Sequence, residues 1–282
     1  EKIPHCLDSS GYAGTNVGKE DLSEFESIPL DSPATVTVPG TVRGWETIHN
    51  KFGKLDFTTV LDEAISLSRE GFPVSKELAQ SIARHRPALS RQPSAKDFYS
   101  SGEPLQEGET LRRQDLSNTL DTISKEGSSY FYSGHIAQSI VDATRNLLTL
   151  DDLGNYQSKW TQPLSLDIYG KTGWTTPPHT QGYLTLATLK AYELLSTNTD
   201  RVEHHTLVEC YRSLASDRDN ITYDYQGELN RFVGNNLDYI RKKSLEVDRN
   251  SASIFPAPKK SGGGTAYMAI KDSEGNAVSL IQ

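Results

Sequence analysis

The last 21 residues of the chain, 262–282, set the strongest condition on its fold. They read Gly262-Gly263-Gly264-Thr265-Ala266-Tyr267, then a short apolar run, a turn at Asp272-Ser273-Glu274-Gly275-Asn276, and a second apolar run from Ala277 to Ile281. Two β-prone runs about a Gly-containing turn specify a hairpin. Thr265 stands at its first residue, directly after three glycines. Threonine is a weak nucleophile within a chain, but at an N-terminus its own α-amine can act as its base. The glycines allow a backbone bent enough to be cut before Thr265. The same residues also read as a glycine-rich loop entering a strand, with the threonine a packing residue.

The 282 residues suffice for one large domain or two small ones. A net charge of -8, with no basic stripe, argues against nucleic acid and anionic membrane surfaces as partners. Cys6 and Cys210 are the only cysteines. They make no disulfide framework or metal cluster; two buried thiols are the expectation and a single disulfide the alternative. No apolar run reaches 18 residues, so this segment is expected to hold no membrane span. No signal peptide is visible. The chain opens on Glu1 and stops within an apolar run at Ile281-Gln282, which reads as a truncated part of a longer protein.

Between its ends the chain reads as mostly helical. A strand is expected at Ala34–Val38. Helical spacing marks Asp56–Glu70, ended by Gly71 and Pro73, and Ser75–Arg86. Residues 87–114 read as a long connection. Helices follow near Asp115–Glu126, Gly134–Arg145, Gly182–Leu195, Val202–Ser216 and residues 234–246, with a strand at Leu164–Ile168. Residues 249–264 read as an exposed linker that includes Lys259 and Lys260. Strands near both ends with helices between them suit an α+β fold.

Other candidate chemistry is thin. His205 and Glu209 are four apart and share a helix face with His204 beside them, but there is no HExxH spacing and no third ligand nearby, so no metal is expected. His179 sits in a turn and reads as exposed. Asp151-Asp152 reads as an acidic pair at a helix N-terminus.

Several short stretches together resemble the γ-glutamyltranspeptidase (glutathione hydrolase) family of N-terminal-nucleophile hydrolases, in order along essentially the whole chain. They are Val38-Pro39-Gly40-Thr41-Val42-Arg43-Gly44-Trp45, Phe52-Gly53-Lys54-Leu55, Glu70-Gly71-Phe72-Pro73-Val74-Ser75, Phe131-Tyr132-Ser133-Gly134, Leu148-Thr149-Leu150-Asp151-Asp152-Leu153, Pro177-Pro178-His179-Thr180-Gln181-Gly182, and in part Asp217-Arg218. Gly264-Thr265-Ala266-Tyr267, with Asp272 and Gly275-Asn276-Ala277-Val278-Ser279, resembles the start of the family's small subunit. The resemblance implies an αββα sandwich and self-cleavage between Gly264 and Thr265. Residues 1–264 would then be large-subunit-like, with the front partial, and 265–282 the truncated start of the small subunit. It implies Thr265 as nucleophile on a γ-glutamyl or related amide such as glutathione, the self-cleaved small subunit as partner, and no cofactor. The supporting hydroxyl and the oxyanion-hole amides would lie beyond Gln282. Family members are often secreted, periplasmic or membrane-anchored; the sequence itself assigns no compartment.

Two positions depart from the family pattern. In Leu7-Asp8-Ser9-Ser10-Gly11-Tyr12, Ser10 falls where the γ-glutamyl enzymes carry the arginine that binds the substrate α-carboxylate. A hydroxyl does not replace that charge. Ala266 follows the nucleophile where many members have a second hydroxyl. Ser10 motivates one alternative, an acylase of the same fold acting on other amides; the truncated tail motivates another, a non-catalytic relative or a fragment serving only as scaffold.

Overall fold

The computed structural model describes residues 3–18, 22–23, 25, 28–29, 32–196, 201–225, 228–256 and 265–282. The chain divides into two compact units, Ser9–Ser158 with Thr265–Gln282, and Glu1–Asp8 with Lys159–Gly264. The fold is α+β, with helices dominant and strands short.

In the first unit, the helix Phe57–Glu70 turns Leu61 and Ile65 inward and ends at Gly71, whose amide bonds the Leu67 carbonyl at 3.0 Å. It packs against Gln114–Glu126, which contributes Leu120 and Ile123. Between them Ser117 is fully buried and donates to the Ile65 carbonyl at 3.2 Å. A small side chain there admits close approach and its hydroxyl is satisfied. The same core takes in Val38, Val42, Tyr132, Ala137, Val141, Leu148, Leu153 and Tyr156. A smaller apolar cluster of Val74, Ile82, Leu105 and Leu111 lies around Lys76–Arg84, whose N-cap Ser75 accepts from the Leu78 amide at 3.2 Å.

In the second unit, the helix Gly182–Leu195 buries Tyr183, Leu184, Ala187, Ala191 and Tyr192 and is apolar on most sides. His204–Ala215 and Leu237–Ser244 pack against it through Cys210, Leu214 and Ile240. Leu164–Ile168 pairs antiparallel with Lys171–Thr175. Cys6–Asp8 pairs antiparallel with Lys159–Thr161. Cys6 and Cys210 are both free and buried. No helix among the described residues is long and apolar enough to cross a membrane.

The expected strand at Ala34–Val38 is not formed. Pro33–Thr35 is a single 3-10 turn, capped by the Ser32 hydroxyl and started by Pro33. Local capping there outcompetes β-propensity. Residues 87–114 are not an unstructured connection. They hold the short helix Arg86–Leu89, a 3-10 turn Pro93–Phe98, a two-residue hairpin Tyr99–Ser100 with Glu103–Pro104, and a strand Thr110–Leu111 that pairs with Phe72–Pro73. The helices Thr41–Phe52 and Ser128–Ser133 and the strand Lys171–Thr175 had no counterpart in the sequence reading.

Candidate active site

The hairpin forms as the sequence predicts. Tyr267–Lys271 pairs antiparallel with Ala277–Ile281. Ala266 and Gln282 exchange both backbone hydrogen bonds at 2.8 and 2.9 Å, so Thr265 immediately precedes the first paired residue. The turn is fixed by Asp272, whose Oδ1 accepts the amides of Glu274 and Asn276 at 3.0 and 2.8 Å and whose Oδ2 accepts from Asn276 Nδ2 at 2.7 Å. These donors hold the Asp272 carboxyl below the ordinary aspartate range. Gly275 sits at φ +85°, the left-handed conformation that closes such a turn. From Thr265 onward every residue is exposed except the half-buried Leu280. Tyr267, Met268, Ile270, Val278 and Ile281 therefore present apolar surface on the hairpin. Gly262, Gly263 and Gly264, with Lys259 and Lys260, lie outside the described residues.

Ser10 belongs to a segment built the opposite way. The Ser9 hydroxyl donates to the Gly40 carbonyl at 2.7 Å and meets the Ser158 hydroxyl at 2.7 Å. The Tyr156 hydroxyl donates to the Ser10 carbonyl at 3.2 Å. The Tyr12 carbonyl accepts the Val38 amide at 3.0 Å, and its hydroxyl donates to the Asp152 carbonyl at 2.7 Å. Ser10 itself is exposed, on a backbone held from both sides. The fit depends on missing side chains. A Cβ at Gly40 would lie 1.7 Å from the Ser9 carbonyl oxygen, and one at Gly11 1.7 Å from that of Val38.

Asp152 is the far anchor of this frame. It closes a capping box with Thr149 at the start of the helix Leu150–Gly154. Its carboxylate also accepts from the Thr15 amide, at 3.1 Å, and from the Thr15 hydroxyl. Burial alone would raise this carboxyl, but the Thr15 and Thr149 donors outweigh it and hold it below the ordinary range. The acidic-pair reading of Asp151-Asp152 is thus sharpened: Asp152 is the third helical residue of a capping box whose N-cap is Thr149, and it clamps a loop 137 residues away.

Behind the Val38–Trp45 stretch, Arg43 lies 4.7 Å over the Tyr132 ring and reaches Glu46 and the Ser128 hydroxyl. Glu46 in turn accepts from the Ser128 amide at 3.0 Å and from its hydroxyl. Burial pushes the Tyr132 phenol up to about 12, so it stays protonated and donates to the Pro39 carbonyl at 2.5 Å. Arg43 is therefore engaged in holding the frame. Sequence reasoning did not find Ser9, Tyr156 or Arg43 as parts of it; the glycines of the Val38–Trp45 stretch were the available signal.

The remaining candidates take structural places. His179 is exposed in its turn. Glu209 is buried, and its carboxylate is bonded to Arg212 and to the Ser253 amide. His205 Nε2 meets the Asp248 carbonyl at 3.1 Å.

The gamma-glutamyltranspeptidase family profile matches residues 1–282. The chain belongs to the gamma-glutamyltranspeptidase family. Among curated relatives, the glutathione hydrolase-like YwrD proenzyme of Bacillus subtilis is 31% identical over 293 residues, covering 100% of this chain and 55% of that protein. Among solved structures, a cephalosporin acylase from Bacillus halodurans is 25% identical with a TM-score of 0.85, over 98% of this chain and 53% of that one. A gamma-glutamyltranspeptidase from Pseudomonas nitroreducens is 26% identical with a TM-score of 0.76, over 89% and 79%. The fold is accordingly the αββα fold of the N-terminal-nucleophile hydrolases. The chain spans about half the length of the curated relatives it matches. Ser10 and the Thr265 hairpin are the two places that the sequence reading put forward for the site.

Proposed function

We propose that this chain is the large-subunit part, residues 1–264, and the opening of the small subunit, residues 265–282, of an N-terminal-nucleophile amide hydrolase or acyltransferase that matures by cutting itself between Gly264 and Thr265. The observation that carries the reading is the position of Thr265, directly after the glycines and directly before the first paired residue of an exposed hairpin, in a chain whose family match runs through that point. Several relatives are themselves named proenzymes. In the precursor the Thr265 hydroxyl attacks the Gly264 carbonyl carbon. The peptide nitrogen leaves as the new α-amine, and the resulting ester is hydrolysed by water. In the mature enzyme Thr265 Oγ attacks a γ-glutamyl or related amide. The α-amine takes the hydroxyl proton and returns it to the leaving amine, and water or an acceptor amine resolves the acyl-enzyme.

Ser10 is the proposed substrate-contacting position, and it favours a second reading. An arginine there would grip an α-carboxylate through two bonds; a serine gives up that contact, worth about 2–5 kcal/mol when desolvated. An acylase acting on non-glutamyl amides accommodates this, and a cephalosporin acylase is among the structural neighbours.

In the full-length protein, Thr265→Ala should leave one uncut, folded chain, and Thr265→Ser should cut and turn over. Gel mobility and the N-terminal sequence of the small fragment read this directly. Cleavage before residue 265 in Thr265→Ala would overturn the mechanism. Kinetics on glutathione, γ-glutamyl anilides and glutaryl amides then separate the two substrate readings; a strong γ-glutamyl preference removes the acylase.

A further inference from the structure

Four hydroxyl groups meet the backbone around Ser10, and each is already committed. A hydroxyl has one proton to donate. That of Ser9 goes to the Gly40 carbonyl at 2.7 Å, so in the 2.7 Å contact between the two serines it is Ser158 that donates to Ser9. That of Tyr156 goes to the Ser10 carbonyl at 3.2 Å, with Ser9 Oγ at 3.4 Å. That of Tyr12 goes to the Asp152 carbonyl at 2.7 Å. Burial, then the Asp152 carboxylate, hold the Tyr12 phenol above its ordinary value, so it remains a donor. None of the four protons is left to bind a substrate carboxylate.

What these bonds leave uncovered is a ring. Tyr12 is 45% exposed, although its hydroxyl is pinned and its ring lies 6.0 Å from that of Tyr156 at 50°. Tyr156 is itself buried, and its hydroxyl holds the Ser10 carbonyl. One side chain therefore touches both the Tyr12 ring and Ser10. A ring fixed at its tip and along its flank has little rotamer freedom left to lose on contact, which makes it a preorganised apolar surface. The negative face of its π-system disfavours a carboxylate and suits a neutral aryl group.

We propose that Tyr12 is a specificity-determining residue beside Ser10, and that the amide substrate carries an uncharged, flat acyl group of the phenylacetyl class that lies against the Tyr12 ring. The inference rests on the acylase reading of Ser10 and narrows it. Glutaryl and γ-glutamyl groups both bring a carboxylate to this place, and both become the poorer substrates.

The test compares kcat/KM for phenylacetyl, glutaryl and γ-glutamyl anilides on the full-length, matured protein. Wild type should favour phenylacetyl. Tyr12→Ala should lower the phenylacetyl-to-glutaryl ratio by about tenfold or more, through KM for the phenylacetyl substrate. Tyr12→Phe, which keeps the ring and loses the bond to Asp152, should restore the wild-type ratio. A loss on both substrates in step marks a mere brace for the segment and overturns the inference. So does a Tyr12→Phe ratio as low as that of Tyr12→Ala. If Tyr12→Ala does not fold, competitive inhibition of the wild type decides: phenylacetate should bind more tightly than glutarate, and the reverse order overturns the claim. A wild type that prefers γ-glutamyl amides, or turns over none of the three, removes the acylase reading and this inference with it. One that acts on non-glutamyl amides but prefers glutaryl to phenylacetyl removes only the role of Tyr12.

Discussion

The Ser9–Thr15 segment and the Thr265–Gln282 hairpin belong to the same compact unit and are built on opposite plans. The first has almost no regular structure but is bonded to Gly40, Val38, Asp152, Tyr156 and Ser158, partners up to 149 residues away. The second has regular structure throughout, yet among the described residues its hydrogen bonds all run within itself, and its apolar side chains are exposed. The conformation of one is set by tertiary packing and that of the other by local turn chemistry. In functional terms, the proposed substrate frame is held by bonds to distant parts of the chain. The hairpin that carries the proposed nucleophile leaves its apolar side chains exposed.

Substitutions at glycine put this contrast at risk most directly. Gly40→Ala should cost about 3 kcal/mol, since its Cβ would overlap the Ser9 carbonyl and approach the Tyr156 hydroxyl. Denaturant unfolding of the variant measures this. Gly275→Ala, where φ is positive but a Cβ meets nothing within 4 Å, should cost only about 1 kcal/mol. Equal penalties at the two sites would mean that the frame is not packed as described.

Asp152→Asn falls between these, at about 2 kcal/mol, through loss of the cap and the Thr15 bonds. Its effect should depend on pH. Because the folded carboxyl lies below its unfolded value of about 3.9, the stabilisation is present above that pH and fades as pH falls through the folded value. Wild type and Asp152→Asn should therefore converge only as pH falls from about 3.9 through the lower folded value. A gap that persists there would assign the effect to packing.

The smallest effect is expected at Ser10. Ser10→Ala should change stability by no more than about 0.5 kcal/mol, because residue 10 is exposed. Its consequence should appear in the ratio of kcat/KM values between amide substrates. A large loss of stability would show that the hydroxyl belongs to the frame.

What could be read from the chain follows the same division. The hairpin, the Phe57–Glu70 helix with its Gly71 end and the Ser75 cap were legible, because turn residues and caps act within a few positions. The helix Thr41–Phe52 was not read: it begins after Gly40 and carries Gly44 inside, which read as turn residues, although Val42, Trp45, Ile48 and Phe52 recur at helical spacing. The Ala34–Val38 run looked like a strand, but a capped turn and one long-range bond to Tyr12 decide its path. At the site, Thr265 and Ser10 could be picked out, by local chemistry and by departure from a family pattern. The partners that hold Ser10 could not, since Ser9, Tyr156 and Asp152 meet only after the unit has folded.

Met268 gives the exposed hairpin a chemical readout. It is the single methionine among these 282 residues. It lies three positions after Thr265 and is 44% exposed. A thioether so placed is open to peroxide, and its sulfoxide is polar. Oxidation at residue 268 should be fast wherever the hairpin is bare and slow wherever another layer closes over it. Mass spectrometry of one peptide would then report how exposed the strand of the proposed nucleophile is.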